Sequence, residues 1–354
     1  MVVTVDRTRL LARVEELMLA HAPSGQEAEV DDLVQRLFSV AGRTVQRDRS
    51  GALVLHLPGR GLAPAIAVAA HKDEIALIVK RVEKDGRLKV QPTGGLHPWA
   101  VGETPVEVLT HSGPLPGVLS IGAKHVSRES PAGVIKEGSG LTWEQMWVET
   151  HLDEAALRQA GVRVGQRVVL ARPRKQAWYL GQGQFVCGYN LDCRGGLAIL
   201  AEVAHALTEH PPAGDVYLVA TAEEEVGAHG ALYSVAQLPV DTLVAVDVAP
   251  VAEEYQTRNS AEPVLLCKDS SGLYHQGTID RLVAVAGDLG FGVQLAVVTS
   301  YGSDASIAHG HGHVARAALV GYPGGNTHGF EICHIDGLAN TARLLIGYLL
   351  DPGV

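Results

Sequence analysis

The sequence predicts an α/β protein, a three-layer α/β/α sandwich that carries an inserted small β-barrel-like domain. Three observations predict it. Apolar runs and amphipathic helical stretches alternate through the second half of the chain, the pattern of a helix-covered, largely parallel sheet. An apolar run at residues 65–70 suits the same sheet but lies far upstream. Between the two, from about residue 76, short β-like runs are separated by Gly, Pro and charged turns.

The size fits this division. The chain has 354 residues, 46% hydrophobic and 19% charged, enough for two domains or one large domain with an insertion. The expected catalytic domain comprises residues 1–75 and 179–354, with residues 76–178 as the insert. A net charge of −10, spread along the chain, argues against a nucleic-acid or acidic-membrane partner. Four cysteines without CxxC spacing indicate a reducing compartment. No secretory signal opens the chain and no apolar run is long enough to span a bilayer, so a cytoplasmic protein is expected.

In order, Leu10, Leu11, Val14, Leu17 and Met18 recur at helical spacing. Pro23-Ser24-Gly25 interrupts them, and Val30, Leu33, Leu37 and Val40 mark a second helix. Residues 53–57 and 65–70 read as strands, the latter running into His71-Lys72-Asp73-Glu74. Within the insert, strands are expected at 76–82, 88–91, 106–110, 117–121 and 162–170, with a helix at 143–157. Then a helix opens at Asp192, and strand 216–220 leads into Glu223-Glu224-Glu225. Strand 242–248, helix 275–289, strand 293–299, a short helix near Asp304, strand 317–321 and helix 338–350 complete the chain.

In open α/β sheets, ligands sit beyond the carboxyl ends of the strands. His71, Asp192, Glu224, Glu225, Asp247 and His328 all fall at such places. Each alone has a plain explanation: Asp192 as an N-cap, His71 as a core histidine, the Glu run as a solvated turn. Asp247 resists one, because an aspartate within Val244-Ala245-Val246-Asp247-Val248 needs a compensating partner. Two His, two Asp and a Glu form a donor set suited to Zn²⁺, Mn²⁺ or Co²⁺, and one carboxylate can bridge two such ions. Adjacent glutamates divide into one that binds metal and one that moves protons. Asp73 is placed to accept the His71 ring N–H.

On Ala70-His71-Lys72-Asp73-Glu74-Ile75, Asn190-Leu191-Asp192-Cys193-Arg194, Glu224-Glu225-Val226-Gly227, Val246-Asp247-Val248 and the late His328, the chain resembles the tetrahedral, glutamyl-type aminopeptidases. The resemblance covers nearly the whole length. It implies two divalent metal ions, with Zn²⁺ first and Co²⁺ or Mn²⁺ as alternatives. His71 and Asp247 would hold one ion, Glu225 and His328 the other, and Asp192 would bridge. Glu224 would be the general base and acid, and Asp73 would support His71. It also implies peptide substrates, dimers formed through the insert, and shells of up to twelve subunits. Two departures stand out. Cys193 occupies a place where the family usually has Asp or Asn, and is expected to be buried as a small apolar side chain. Gly325-Asn326-Thr327-His328-Gly329 lacks the Arg-Tyr pair that often precedes the final His. The run His309, His311, His313 is expected in a solvent-facing or substrate-side loop. The alternatives weighed are a related dinuclear deacylase or carboxypeptidase on acylated amino acids, a metal-free glycosidase, and a catalytically silent assembly protein.

Overall fold

The computed structural model describes residues 3–40, 42–128 and 130–353. Met1, Val2, Ala41, Glu129 and Val354, which fall within the expected domain spans, lie outside the described residues. The chain divides into two compact units. One comprises Met1–Glu74, Ala177–Thr327 and Glu331–Val354; the other comprises Ile75–Gln176 with His328–Phe330.

The first unit begins with helices α1 (Arg7–Leu19) and α2 (Ala28–Phe38) and strands β1 (Gln46–Arg47), β2 (Leu53–Leu57) and β3 (Ile66–His71). Asp6 caps α1 by accepting the N–H of Arg9, and Leu10, Val14, Leu17 and Met18 form its buried face.

The second unit holds β4 (Ala76–Val82), β5 (Leu88–Thr93), α3 (Pro98–Val101), β6 (Thr104–Thr110), β7 (Gly113–Ser120), α4 (Pro131–Lys136), β8 (Trp147–Glu149), α5 (Glu154–Gln159) and β9 (Arg167–Leu170). Its strands close into a barrel in the order β4-β5-β8-β7-β6-β9. Leu77, Val79, Leu88, Val106, Val108, Met146 and Val148 fill its core. The helix expected at 143–157 is replaced by a 3₁₀ turn at Trp143–Gln145, strand β8 and helix α5. Closure requires this, because Val148 pairs with both Leu88 and Leu119. A helix there would leave β5 and β7 with open edges.

The first unit resumes with β10 (Trp178–Leu180), β11 (Phe185–Gly188), α6 (Leu191–Glu209), β12 (Val216–Thr221), α7 (His229–Val235), β13 (Thr242–Pro250), β14 (Val264–Lys268), α8 (Gln276–Asp288), β15 (Gln294–Val297), α9 (Asp304–Gly310), β16 (Arg316–Gly325), β17 (Glu331–His334) and α10 (Ile335–Leu350). The boundary falls before Trp178 because β10 pairs with β11 in the large sheet. That sheet runs β1-β2-β12-β3-β13-β16-β17-β11-β10, with β14 joining β16 to β15. Its centre, β12-β3-β13-β16, is parallel. Helices α1, α2, α6, α8 and α10 pack together as one layer, and α7 packs with α9 in another. Strand β3 is buried at every position, the texture of a strand covered on both faces. Among the described residues no helix is long and apolar enough to cross a membrane.

Candidate metal centre

Register in the parallel strands aligns the polar residues. His71, the last residue of β3, pairs with Thr221, the last of β12. Ala69 of β3 pairs with Ala245 of β13, so Asp247, two residues on, reaches the level of His71. Asp247 lies inside β13 rather than at its end, because β13 continues to Pro250 beside β16. Asp192 also departs from expectation. It falls within the span of α6, but it and Cys193 have non-helical backbone angles, and the peptide between them is cis.

These elements bring the side chains together in the first unit. His71 Nε2 is 2.8 Å from Asp192 Oδ1 and 3.7 Å from Asp247 Oδ1. Donor atoms of His71, Asp192, Cys193 and Asp247 lie within 4.8 Å of one another, and so do those of His71, Glu224 and Glu225. On the other side of the His71 ring, Nδ1 is 3.2 Å from the Asp73 main-chain oxygen and 3.5 Å from its carboxylate. The Asp73 carboxylate is largely taken up elsewhere. It accepts the Ser24 hydroxyl at 2.7 Å and the N–H groups of Glu224 at 2.9 Å and Glu225 at 3.2 Å. Glu27 accepts the N–H of Glu223 at 3.2 Å, so two carboxylates hold three consecutive amides of the Glu run. The Glu223 side chain lies at the surface, its Oε2 3.1 Å from Nδ1 of the exposed His229. His328 follows β16 along the chain and groups with the second unit, where its Nδ1 donates to the Gly95 carbonyl at 3.0 Å.

Three residues around this cluster escaped the sequence reading. The Tyr301 hydroxyl donates to Asp247 Oδ2 at 2.7 Å, and Glu331 accepts the N–H of Asp192 at 3.0 Å. Buried Asp304 accepts the Thr221 hydroxyl at 2.5 Å. Glu331 left one signal, an acid on the inward side of an alternating strand. Tyr301 and Asp304 come from a loop and a short helix whose place depends on packing across the sheet. The His309–His313 run has local partners: His309 and His311 donate to the carbonyls of Val314 and Ile307.

Electrostatics offer a test of whether cations suit this donor set. Burial alone would depress the pKa of His71, but the Cys193 sulfur and the Asp192, Asp247 and Asp73 carboxylates outweigh it and hold it well above its ordinary value. Burial, reinforced by Asp304, Asp247 and Glu225, holds the half-buried Glu224 well above the carboxylate range. Burial likewise pushes Asp304 up to about 7. The His71 shift reports the negative groups around it, while burial and then neighbouring carboxylates raise Glu224 and Asp304; divalent cations would offset that accumulation of acids. Imidazole and carboxylate are also the ligands that Zn²⁺, Co²⁺ and Mn²⁺ accept. The residues fit a metal centre.

YhfE of Bacillus subtilis (strain 168), provisionally named an aminopeptidase, is 27% identical over 96% of this chain and 97% of its own length. The lysyl aminopeptidase of Pyrococcus furiosus is 30% identical over 62% of this chain and 60% of its own. Among solved structures, aminopeptidase APDkam598 from Desulfurococcus kamchatkensis superposes with a TM-score of 0.87 at 27% identity, covering 98% of this chain and 95% of that one. The Pyrococcus horikoshii TET1 peptidase, which can assemble into a tetrahedron or a large octahedral shell, matches in fold with a TM-score of 0.86 at 21% identity, over 97% and 99% of the two chains. The model of the M42 glutamyl aminopeptidases matches residues 51–344. The chain therefore belongs to the M42 glutamyl aminopeptidase family and is a metal-dependent aminopeptidase.

Proposed function

We propose that the chain removes N-terminal residues from peptides at a centre of two divalent cations, Zn²⁺ in the first instance and Co²⁺ or Mn²⁺ as alternatives. The observation that carries this is the meeting of His71, Asp192, Asp247, Glu224 and Glu225 at one edge of the sheet. His71 and Asp247 would hold one ion, Glu225 and His328 the other, and Asp192 both. When bound, the ions supply Lewis acidity for the attacking water and the scissile carbonyl.

Glu224 takes the proton of the attacking water on its carboxylate and returns it to the leaving amine nitrogen. Burial, and after it the nearby Asp304, Asp247 and Glu225, holds its carboxyl well above the ordinary range, which favours proton uptake. Asp73 fixes Glu224 and Glu225 through their amides and orients the His71 ring. Replacing Glu224 by Gln keeps size and polarity but removes the basic oxygen, so turnover should vanish while metal content stays unchanged. Full activity in that variant would sink the assignment. Aminoacyl-anilides should be cleaved and N-acyl amino acids left intact; the reverse would favour a deacylase.

The same reading extends to assembly and location. The assembly is a homo-oligomer built on dimers through residues 76–178, up to a dodecamer; the tetrahedral or octahedral shells of the TET1 peptidase, which shares the fold, support closed assembly. Light scattering on the purified protein checks it: a monomeric mass would refute it. A cytoplasmic setting suits Cys187, Cys193, Cys267 and Cys333, all free thiols.

A further inference from the structure

Cys193 has no part in the chemistry described so far. Its side chain is fully buried, yet it is not packed away from the centre. Its sulfur belongs to the same donor cluster as His71 Nε2 and the oxygens of Asp192 and Asp247, all within 4.8 Å of one another. Two neighbours hold it there. Gly196, one turn along α6, leaves room: a Cβ at that position would come within 2.4 Å of the sulfur. On the other side the sulfur is 3.2 Å from the Val246 carbonyl, next to Asp247 in β13. The Tyr322 hydroxyl oxygen lies 3.6 Å away, its hydrogen donated to the Leu191 carbonyl at 2.6 Å. A backbone carbonyl, a hydroxyl oxygen and three metal-type ligands make a polar surround for a side chain that could otherwise fill the same volume as an inert small residue.

We infer that Cys193 is a ligand of the ion held by His71 and Asp247, so that this site carries a sulfur donor beside its nitrogen and oxygen donors. This rests on the metal-centre reading above and deepens it. On coordination the S–H proton, donated to the Val246 carbonyl in the free thiol, leaves to solvent and the sulfur lone pair goes to the cation. The consequence is selectivity. A soft thiolate favours Zn²⁺ and Co²⁺ over Mn²⁺, which prefers all-oxygen surroundings.

Cobalt provides a readout independent of activity. The full-length protein, stripped with chelator and titrated with Co²⁺, should show visible d–d bands as the ion binds. It should also show a near-ultraviolet sulfur-to-cobalt charge-transfer band at one ion per chain. Cys193→Ser should keep the d–d bands, lose the charge-transfer band, and bind Zn²⁺ more weakly by about tenfold or more. Cys193→Asp, a second variant with a hard donor, should narrow the preference for Zn²⁺ over Mn²⁺. Circular dichroism establishes that each variant is folded before it is titrated. Bound cobalt with d–d bands but no charge-transfer band in the wild type would overturn the sulfur ligand and leave the metal centre standing. Persistence of that band in Cys193→Ser would also overturn it. Absence of any cobalt binding would overturn both the ligand and the metal-centre reading.

Discussion

Asp73 Oδ1 accepts the main-chain N–H of Glu224 at 2.9 Å, tying the loop after β3 to the loop after β12 beneath the centre. The second oxygen of the same carboxylate takes the N–H of Glu225, and His71, two residues upstream, ends β3. One buried anion thus links the proposed base, a proposed ligand and the histidine opposite them. Asp73→Asn keeps the shape but turns one acceptor into a donor that faces an amide N–H. We expect kcat to fall by about 10- to 100-fold. Metal analysis beside steady-state kinetics checks this, and wild-type kcat would refute the link.

Asp304 makes a pH prediction for the metal-free protein. Burial pushes its carboxyl from an ordinary 3.8 up to about 7. Between those values the folded chain keeps a proton that the unfolded chain has released, so this residue's contribution to stability falls as pH rises through the window. Its Oδ1 makes no hydrogen bond, while Oδ2 accepts from Thr221, an arrangement an Asn oxygen can also satisfy. Asp304→Asn should therefore raise the melting temperature of chelated protein at pH 8 and change it little near pH 4. An equal effect at both pH values would contradict the argument.

Lys72 is buried with its ammonium against the carboxylates of Asp31 and Glu27, the latter at 3.1 Å. Arg47 reaches Asp31 at 3.0 Å from the half-exposed side. Lys72→Met would leave two buried carboxylates short of a cation and should cost about 3–5 kcal/mol in denaturant unfolding. The exposed Arg81–Glu83 pair gives the contrast. Glu83→Gln should shift stability by less than about 1 kcal/mol.

Gly230 allows α7 to begin close against the strand end that carries the Glu run. Its N–H donates to the Ala222 carbonyl at 2.9 Å, and a Cβ there would sit 2.3 Å from that same oxygen. Since the clash is with backbone, Gly230→Ala should cost about 1–3 kcal/mol and lower activity together with stability. A fully active, equally stable variant would show that the helix can shift without moving Glu224.

The sequence alone determined the apolar strands and the polar residues that end or follow them, with Asp247 as the exception inside β13. Apolar runs mark β3, β12, β13 and β16, and parallel register then brings His71, Thr221 and Asp247 to one level. Local chemistry sufficed because strand ends have a defined place once the sheet order is known. Trp143–Gln145, β8 and α5 were not legible in this way. Short elements take their form from barrel closure, and Val148 is a strand residue because Leu88 and Leu119 stand on either side. The same holds around the centre. Tyr301 reaches Asp247 across 54 positions, and Glu331 reaches Asp192 across 139. No spacing rule predicts such pairs; they depend on how loops fold back over the sheet. Only the tertiary structure gave Asp73 its grip on the Glu run and set the Cys193 sulfur among the proposed ligands, since both depend on backbone and side chains from separate elements converging in one buried, low-dielectric volume.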